Sequence, residues 1–195
     1  VEPNAAIGLT EDLMDARSLF LTPNTTTVYA FACLDLSVGP VVFDVPPNVL
    51  GPVDDAYFRF VTDIGLTGPD KGKGGRYLFV PPGYTGELPA DGFHVVKSTS
   101  YSNLVFFRGF VKDGDVPATV ASLKTARIHP LAVDANPPPT RFVNTSGQKF
   151  NTIHANSYRF FEELDAVIQK EPADFIDPET VGLFASLGIK KGKPF

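Results

Sequence analysis

Turn-forming residues divide this chain into short apolar segments. Its 195 residues include 17 glycines and 18 prolines, and both residue types mark turns between structural elements. Short apolar runs that end at glycine or proline are typical of the strands of an all-β fold. The pattern therefore predicts a mainly β domain, in the form of an antiparallel β-sandwich or barrel with a few peripheral α-helices.

Six strands are predicted in the first two thirds of the chain: 27–36, 41–45, 56–64, 76–80, 92–98 and 103–112. The segment Val49–Asp55 is interpreted as a connector, and residues 99–102 as the turn of a hairpin between the last two strands. The first strand has apolar side chains at both odd and even positions, which indicates that both of its faces are covered.

Helix signals lie outside these strands. They predict a short helical stretch at 11–17, a helix at 116–128 that begins after the N-cap residue Asp115, and two helices at 157–169 and 178–187. Three consecutive prolines make residues 136–140 an extended segment. The prediction is a β-sandwich domain at 1–135, followed at 136–195 by this extended segment and a helical linker.

Composition excludes some classes of protein and leaves others open. The net charge is −5, and the basic residues cluster only near Lys71 and Lys190, which argues against nucleic acid as a partner. No run of 18 apolar residues predicts a membrane span. Cys33 is the single cysteine, so an internal disulfide is impossible. The compartment stays open, with the periplasm and secretion among the alternatives. The chain starts at Val1 instead of methionine, as a processed or cut chain does.

The glycine-rich segment 65–84 carries a local positive charge. Lys71, Lys73 and Arg76 lie within six residues, and only Asp70 opposes them. Backbone N–H groups in such a loop can bind an anion, although the established phosphate-loop motifs are absent. A solvated surface loop is the favoured interpretation, and an anion-binding loop is the alternative. In the second case, changing the three cations to alanine should weaken anion binding and leave the fold intact.

Two arginines fall inside predicted strands that are rich in aromatic residues. If Arg59 and Arg108 are buried, each needs an anionic partner. Aspartates on neighbouring strands could supply it: Asp35, Asp44 and Asp63. A structural ion pair is the favoured interpretation, and a pocket that binds a carboxylate or phosphate is the alternative. Tyrosines near the strand ends, including Tyr29, could line a carbohydrate-like site or pack in the core.

The remaining reactive side chains give no catalytic signature. The three histidines form none of the spacings typical of zinc sites. His129 is expected at the C-terminus of the helix at 116–128, where an imidazolium is favoured by the helix dipole. Cys33 is expected to be an inert thiol inside a buried strand. No G-x-S-x-G nucleophile motif is present.

Several motifs resemble the DUF1254 family of bacterial and fungal proteins of unknown function. The most specific is Gly-Pro-Asp-Lys-Gly-Lys-Gly-Gly-Arg-Tyr at 68–77. The others are supportive: Leu-Thr-Pro-Asn at 21–24, Val-Tyr at 28–29, Leu-Asp-Leu at 34–36, Gly-Pro-Val-Val at 39–42, Pro-Pro-Gly-Tyr at 81–84, Phe-Arg-Gly at 107–109 and Arg-Ile-His-Pro-Leu at 127–131. Where the family pattern has an aspartate, this chain has Thr26, which argues against a carboxylate-dependent role there.

The resemblance implies a β-sandwich or jelly-roll-like domain and no established activity or cofactor. Family members usually have a helical segment upstream of Val1 and a DUF1214 companion domain after Phe195. The expected partner is therefore this companion domain or a second copy of the chain in a homo-oligomer. An isolated chain is expected to expose an apolar patch beyond roughly 600 Å² and to self-associate.

These observations favour a non-catalytic β-sandwich module that binds a small anionic or sugar-like ligand or packs on a companion domain. The alternative is part of an enzyme, for example a hydrolase, whose active site lies at the junction with that domain. Catalytic residues and cofactors are unassigned, and no metal ligands are predicted. The candidate ligand-binding residues are Lys71, Lys73, Arg76, Arg59, Arg108, Tyr29 and Asn24.

Overall fold

Two β-sheets pack face to face and enclose the core. The structure is a computed structural model that describes residues 1–17, 20, 23–149, 151–174 and 176–195. Its strands are β1 (Ala6–Leu9), β2 (Thr27–Asp35), β3 (Val41–Val45), β4 (Val49–Asp55), β5 (Phe60–Gly65), β6 (Gly75–Val80), β7 (His94–Lys97), β8 (Ser102–Phe110), β9 (Arg127–Pro130) and β10 (Arg141–Asn144). Its α-helices are α1 (Val116–Leu123), α2 (Arg159–Lys170) and α3 (Pro178–Ser186).

The strand order is β10-β1-β2-β8-β4-β5 in the six-stranded sheet and β7-β6-β3-β9 in the four-stranded sheet. Neighbouring strands are antiparallel except for the pairs β1–β10 and β6–β7, which are parallel. The predicted mainly β, two-sheet architecture is confirmed. The sheets are mixed instead of purely antiparallel, and neither closes into a barrel.

The inward faces of the two sheets form one apolar core. Alternate residues of β2, including Val28 and Ala30, are fully buried there, as the period of two in a strand requires. Phe43 of β3 and Phe107 of β8 meet edge to face across the core, with ring centroids 5.7 Å apart. This contact joins the two sheets directly.

The segment predicted as a connector, Val49–Asp55, is strand β4 of the six-stranded sheet, next to its edge strand β5, so that prediction is wrong. β4 pairs with β8 on one side and with β5 on the other. Its Gly51-Pro52 pair resembles a turn signal. In the fold, however, Gly51 allows close backbone approach, because an added Cβ would lie 2.2 Å from the Phe106 carbonyl oxygen.

Two other predictions, one of a hairpin and one of the start of a strand, are wrong. The strands predicted to form a hairpin across residues 99–102 are β7 and β8, which belong to different sheets. The chain therefore crosses between the two layers at this point. The strand predicted at 56–64 starts only at Phe60, because residues 55–59 form a tight turn in which Phe58 has a φ of 62°.

Helix α1 ends at Leu123 and does not extend to residue 128 as predicted. Residues Arg127–Pro130 instead form β9, an edge strand paired with β3. Ile128 is buried in the core between the sheets, which explains why an extended conformation is favoured there. His129 consequently lies in a strand and not at a helix C-terminus.

The first strand of the chain pairs with the last one, and the sequence indicated neither strand. β1 and β10 are paired in parallel, and β10 lies beyond the predicted boundary at residue 135. The described residues 11–17 contain bends and a turn and no helix, contrary to prediction. Leu21 and Thr22, the first two residues of the family motif at 21–24, lie outside the described residues.

The predicted helices after residue 155 are confirmed as α2 and α3. A buried carboxylate anchors them: Glu171, directly after α2, accepts hydrogen bonds from the backbone N–H groups of Tyr101 at 2.6 Å and Ser102 at 3.0 Å. The helices thereby pack on one end of the sandwich. No helix in the described part of the chain has the length and apolar character needed to span a lipid bilayer.

Candidate functional site

The seven candidate residues lie in separate parts of the sandwich. Lys71 and Lys73 are exposed on the β5–β6 loop, and Arg76 lies in β6. Arg59 lies in the turn before β5. The other three form one cluster on the outward side of the six-stranded sheet: Asn24, Tyr29 and Arg108.

The glycine-rich loop folds around its own carboxylate. Asp70 is only 5% exposed and accepts hydrogen bonds from the N–H groups of Gly65 at 2.8 Å and Gly74 at 3.0 Å. The Tyr77 hydroxyl donates a third bond to it. Burial and this neighbouring carboxylate raise the pKa of Tyr77 above its usual range. Two donors of the loop are therefore satisfied within the chain.

Arg76 belongs to a polar network on the outward side of the four-stranded sheet. Its Nε donates to Asp44 Oδ1 at 3.0 Å, and its terminal nitrogen donates to Asp134. The guanidinium also lies 4.5 Å from the ring centroid of Phe93. Asp134 in turn contacts Nε2 of His129 at 2.9 Å, and His129 is 1% exposed. Two carboxylates thus offset the charge of Arg76.

This network predicts that part of the stability depends on pH. Burial raises the pKa of Asp134, but hydrogen bonds from His129 and Arg76 outweigh burial and hold the pKa below its usual range. A carboxyl group with a depressed folded-state pKa stabilises the fold above its unfolded-state pKa, which is about 4, and loses that contribution as the pH falls.

We therefore expect Asp134→Asn to lower the free energy of unfolding at pH 7 and to change it less at pH 3. Urea unfolding at pH 7, 5 and 3 measures the difference. The exposed residue Asp91 supplies the control Asp91→Asn, which should follow the wild type at every pH. An Asp134→Asn protein that loses stability on acidification as steeply as the wild type would contradict this account.

Arg59 is exposed and lies in the turn before β5, so the prediction that places it inside a strand is wrong. Its Nε donates to Oδ2 of Asp55 at 2.7 Å. Asp55 is buried, and its other oxygen accepts the backbone N–H groups of Tyr57 and Arg59, each at 2.9 Å. The carboxylate of Asp55 therefore organises the turn. Arg59 pairs with this residue and not with any of the three aspartates proposed from the sequence.

Arg108 is the third arginine among the candidate ligand-binding residues. Its environment differs from those of Arg59 and Arg76. It is half-buried on the outward side of β8. Among the residues that the structure describes, no carboxylate lies within 4.0 Å of its guanidinium. It borders a cleft of about 190 Å³, here named the Arg108 cleft, lined by Tyr29, Leu50, Gly51, Pro52, Asp63, Phe106, Phe107 and Arg108.

Two aromatic rings that line this cleft, those of Tyr29 and Phe106, pack on each other and on the ring of Phe20. Tyr29 stacks on Phe106 with ring centroids 5.4 Å apart. The ring centroid of Phe20 lies 5.8 Å from that of Tyr29 and 5.1 Å from that of Phe106. The Tyr29 hydroxyl accepts hydrogen bonds from the backbone N–H of Asn24 at 3.1 Å and from its side-chain amide at 2.9 Å. Asn24 therefore positions Tyr29 and acts on the cleft through it.

The floor of the Arg108 cleft comes from β4, which was predicted as a connector. Leu50 lies opposite Arg108 of β8, and Pro52 lies opposite Asp63 of β5. Proline has no N–H to donate to the ladder, and the pairing of β4 with β5 is further broken by a bulge after Val53. Buried and half-buried residues alternate along β4, but this alternation is visible only in the fold, because Leu50 is apolar and Gly51-Pro52 resembles a turn.

An acidic group lies across β4 from Arg108. Asp63 lines the Arg108 cleft, and Asp54 faces outward from β4 nearby. Burial and the charges of Asp55 and Asp63 raise the pKa of Asp54. The cleft therefore has a cation on one side of the β4 floor and negative charge on the other.

The other reactive side chains form no comparable arrangement. The ring centroid of His94 lies 5.1 Å from that of Tyr77, and the ring centroid of His154 lies 5.6 Å from that of Phe160. Burial raises the pKa of the Cys33 thiol, which disfavours the reactive thiolate. Within the described ranges, no group of three or more His, Cys, Asp or Glu side chains is placed to hold a metal ion.

Two larger clefts have no half-buried cationic side chain among the described residues that line them. One, of about 360 Å³, lies between α1 and residues 47–49, and the other, of about 460 Å³, lies beside residues 80–88. Their cationic side chains, Lys112 and Lys97, are exposed, so water solvates these charges without a bound anion. Arg108, by contrast, is half-buried, which makes the Arg108 cleft the better candidate for a binding site.

Comparison with known proteins agrees with this fold. A family model described as "Protein of unknown function (DUF1254)" matches residues 4–130. The crystal structure of the VPA0106 protein from Vibrio parahaemolyticus is similar, with a TM-score of 0.66 and 20% identity over 90% of this chain and 44% of that one. The chain thus spans less than half of that protein, and the likeness supports the fold alone. No curated protein matches. This chain belongs to the DUF1254 family of proteins of unknown function.

Proposed function

We propose that this chain is a non-catalytic binding module whose Arg108 cleft holds a small ligand with a carboxylate group. The observation that carries the proposal is that Arg108 is half-buried and that its guanidinium has no carboxylate within 4.0 Å among the described residues. Removing a charge from water is costly unless the charge is paired. The planar guanidinium matches a carboxylate with two parallel hydrogen bonds.

The walls of the cleft favour a carboxylate with a short hydrocarbon part over a sugar. The volume of about 190 Å³ is below the range of roughly 300–1,000 Å³ for drug-sized ligands. Leu50, Pro52 and Phe106 offer apolar contact. Because Tyr29 and Phe106 stack on each other and contact Phe20, their ring faces are engaged within the protein and are less available for stacking on a sugar.

The lining also favours binding over catalysis. Among the described residues that line it, the side chains include one carboxylate, that of Asp63, and no histidine, cysteine, serine or lysine. Nucleophilic catalysis uses a nucleophile within hydrogen-bonding reach of a base. The residues of the Arg108 cleft instead supply a cation, a carboxylate, a phenol and apolar contacts, which together hold and orient a ligand.

Arg108→Ala is expected to weaken the binding of small carboxylates at least tenfold, because it removes the charged hydrogen-bond donor. Titration of acetate, pentanoate and glutarate into ¹⁵N-labelled protein measures the affinity and locates the perturbed residues. Arg108→Lys should keep part of the affinity, since a lysine retains the charge and loses the planar fork.

The double variant Lys71→Ala, Lys73→Ala separates this site from the glycine-rich loop. It should bind as the wild type does, because neither lysine lines the Arg108 cleft. Loss of binding in this variant, with binding retained in Arg108→Ala, would move the site to the loop and overturn the proposal.

Packing on a companion domain is a second proposed function, supported by exposed apolar side chains at one end of the sandwich. Phe58 of the turn before β5 is 76% exposed, and Leu183 of α3 is 67% exposed. A surface of this kind is typical of a site that another domain or chain covers. Sedimentation of the isolated chain with and without a hydrophobic dye tests this function independently of the Arg108 cleft.

A further inference from the structure

We propose that the Arg108 cleft selects an amino-carboxylate, a ligand whose carboxylate pairs with Arg108 and whose ammonium group pairs with Asp63. This inference rests on the proposed function and specifies its ligand class. Both residues line the same cleft, yet they form no ion pair with each other in the described part of the chain. A ligand with both charges can therefore neutralise two groups that the fold keeps apart.

The sheet register sets the separation that the ligand must span. Leu50 of β4 lies opposite both Arg108 of β8 and Gly65 of β5, and Asp63 is two residues from Gly65. Neighbouring strands are about 4.8 Å apart, and successive residues are about 3.4 Å apart along a strand. The Cα atoms of Arg108 and Asp63 are therefore separated by about 10 Å across the sheet and by about 7 Å along it. This separation suits an amino group at the far end of a short carbon chain better than the adjacent groups of an α-amino acid.

Charge around Asp63 favours an ammonium over a second carboxylate at that end. Asp54 lies close enough to Asp63 for repulsion to act between the two carboxylates. An ammonium group near Asp63 would relieve this repulsion, whereas a dicarboxylate would add a third negative charge. Asp55, the next acidic residue along β4, already accepts hydrogen bonds from the backbone N–H and from Nε of Arg59.

Three ligands with five carbon atoms test the inference: 5-aminopentanoate, pentanoate and glutarate. They share one carboxylate and differ at the far end, which carries an ammonium, a methyl group or a second carboxylate. On the wild-type protein we expect 5-aminopentanoate to bind about tenfold more tightly than pentanoate, and glutarate to bind most weakly. Titration followed by NMR gives the three affinities without any substitution.

Asp63→Asn should remove the preference, so that 5-aminopentanoate binds only as well as pentanoate and glutarate binds better than before. The control Asp91→Asn, at an exposed aspartate, should leave all three affinities unchanged. Arg108→Ala should weaken all three ligands together.

The outcomes distinguish this inference from the proposed function. Equal binding of pentanoate and 5-aminopentanoate by the wild type, with both sensitive to Arg108→Ala, would overturn the amino-carboxylate inference and leave carboxylate binding intact. If the protein bound none of the three ligands, both the proposed function and the inference drawn from it would fail.

Discussion

Asp70→Ala is expected to destabilise the fold by about 3 kcal/mol, although Asp70 lies on a charged loop. Its carboxylate is buried and accepts bonds from Gly65, Gly74 and Tyr77. A buried donor left without an acceptor costs about 1–3 kcal/mol, and water entering the loop will compensate part of the sum for three donors. In a chain of this length, about 3 kcal/mol corresponds to a fall in Tm of roughly 6–12 °C.

Urea unfolding of Asp70→Ala against the wild type measures the effect, and the same loop supplies the control. Lys71→Ala with Lys73→Ala changes two exposed neighbours and should stay within about 0.5 kcal/mol of the wild type. A loss below about 1 kcal/mol for Asp70→Ala would mean that the three donors find other partners, and the loop would then not depend on its internal carboxylate.

This role of Asp70 gives the glycine-rich segment a structural explanation. Gly74 has a φ of 77°, a conformation that glycine adopts without strain, and its N–H donates to Asp70. Gly68 lies where an added Cβ would be 2.7 Å from the Tyr77 hydroxyl. The segment that most resembles the family thus encloses a buried carboxylate and positions β6 beside it.

The sequence predicted those strands and helices whose signals lie in residues close to one another along the chain. β2 and β3 alternate or run apolar between turns, and α3 begins with an N-cap aspartate, Asp177, whose side chain accepts from the N–H of Thr180. These features depend on neighbouring residues, and a single sequence displays them. The two-sheet fold and both helices after residue 155 could therefore be predicted.

Features that depend on distant residues could not be predicted in this way. The parallel pairing of β1 with β10 joins residues 6–9 to residues 141–144, and neither strand shows its partner in its own sequence. The hairpin predicted across residues 99–102 failed for the same reason: a short connection allows two strands to pair or to lie in opposite sheets. The choice depends on the packing of the whole sandwich.

The candidate site was predicted only in part. Arg108 and Tyr29 were identified from their strands, but Leu50 and Pro52 were not, because Gly51-Pro52 resembles a turn. Asp63 was named as an ion-pair partner of an arginine, whereas the register places it across β4 from Arg108 without a direct pair. The cleft is a property of three adjacent strands, and the sequence of each strand alone does not reveal it.

Gly51→Ala is expected to destabilise the protein by at least about 3 kcal/mol, which is more than most single substitutions cause. An added Cβ would lie 2.2 Å from the Phe106 carbonyl oxygen and 2.5 Å from the Phe107 Cα. Both atoms belong to the backbone, so no rotamer change can relieve the contact and β4 must move away from β8. These two strands lie in the interior of the six-stranded sheet, where such a shift also disturbs the core.

Gly182→Ala is the matched control for this prediction. Gly182 lies inside α3, and an added Cβ there meets no atom within 4 Å. Alanine favours a helix over glycine by up to about 1 kcal/mol, so this variant should be as stable as the wild type or more stable. Chemical unfolding of both variants, with circular dichroism of the soluble fraction, separates the local clash from a general effect of the added methyl group. If Gly51→Ala matched the wild type in stability, β4 and β8 could not lie as close together as the structure shows. The arrangement of β4 as the floor of the Arg108 cleft would then be wrong.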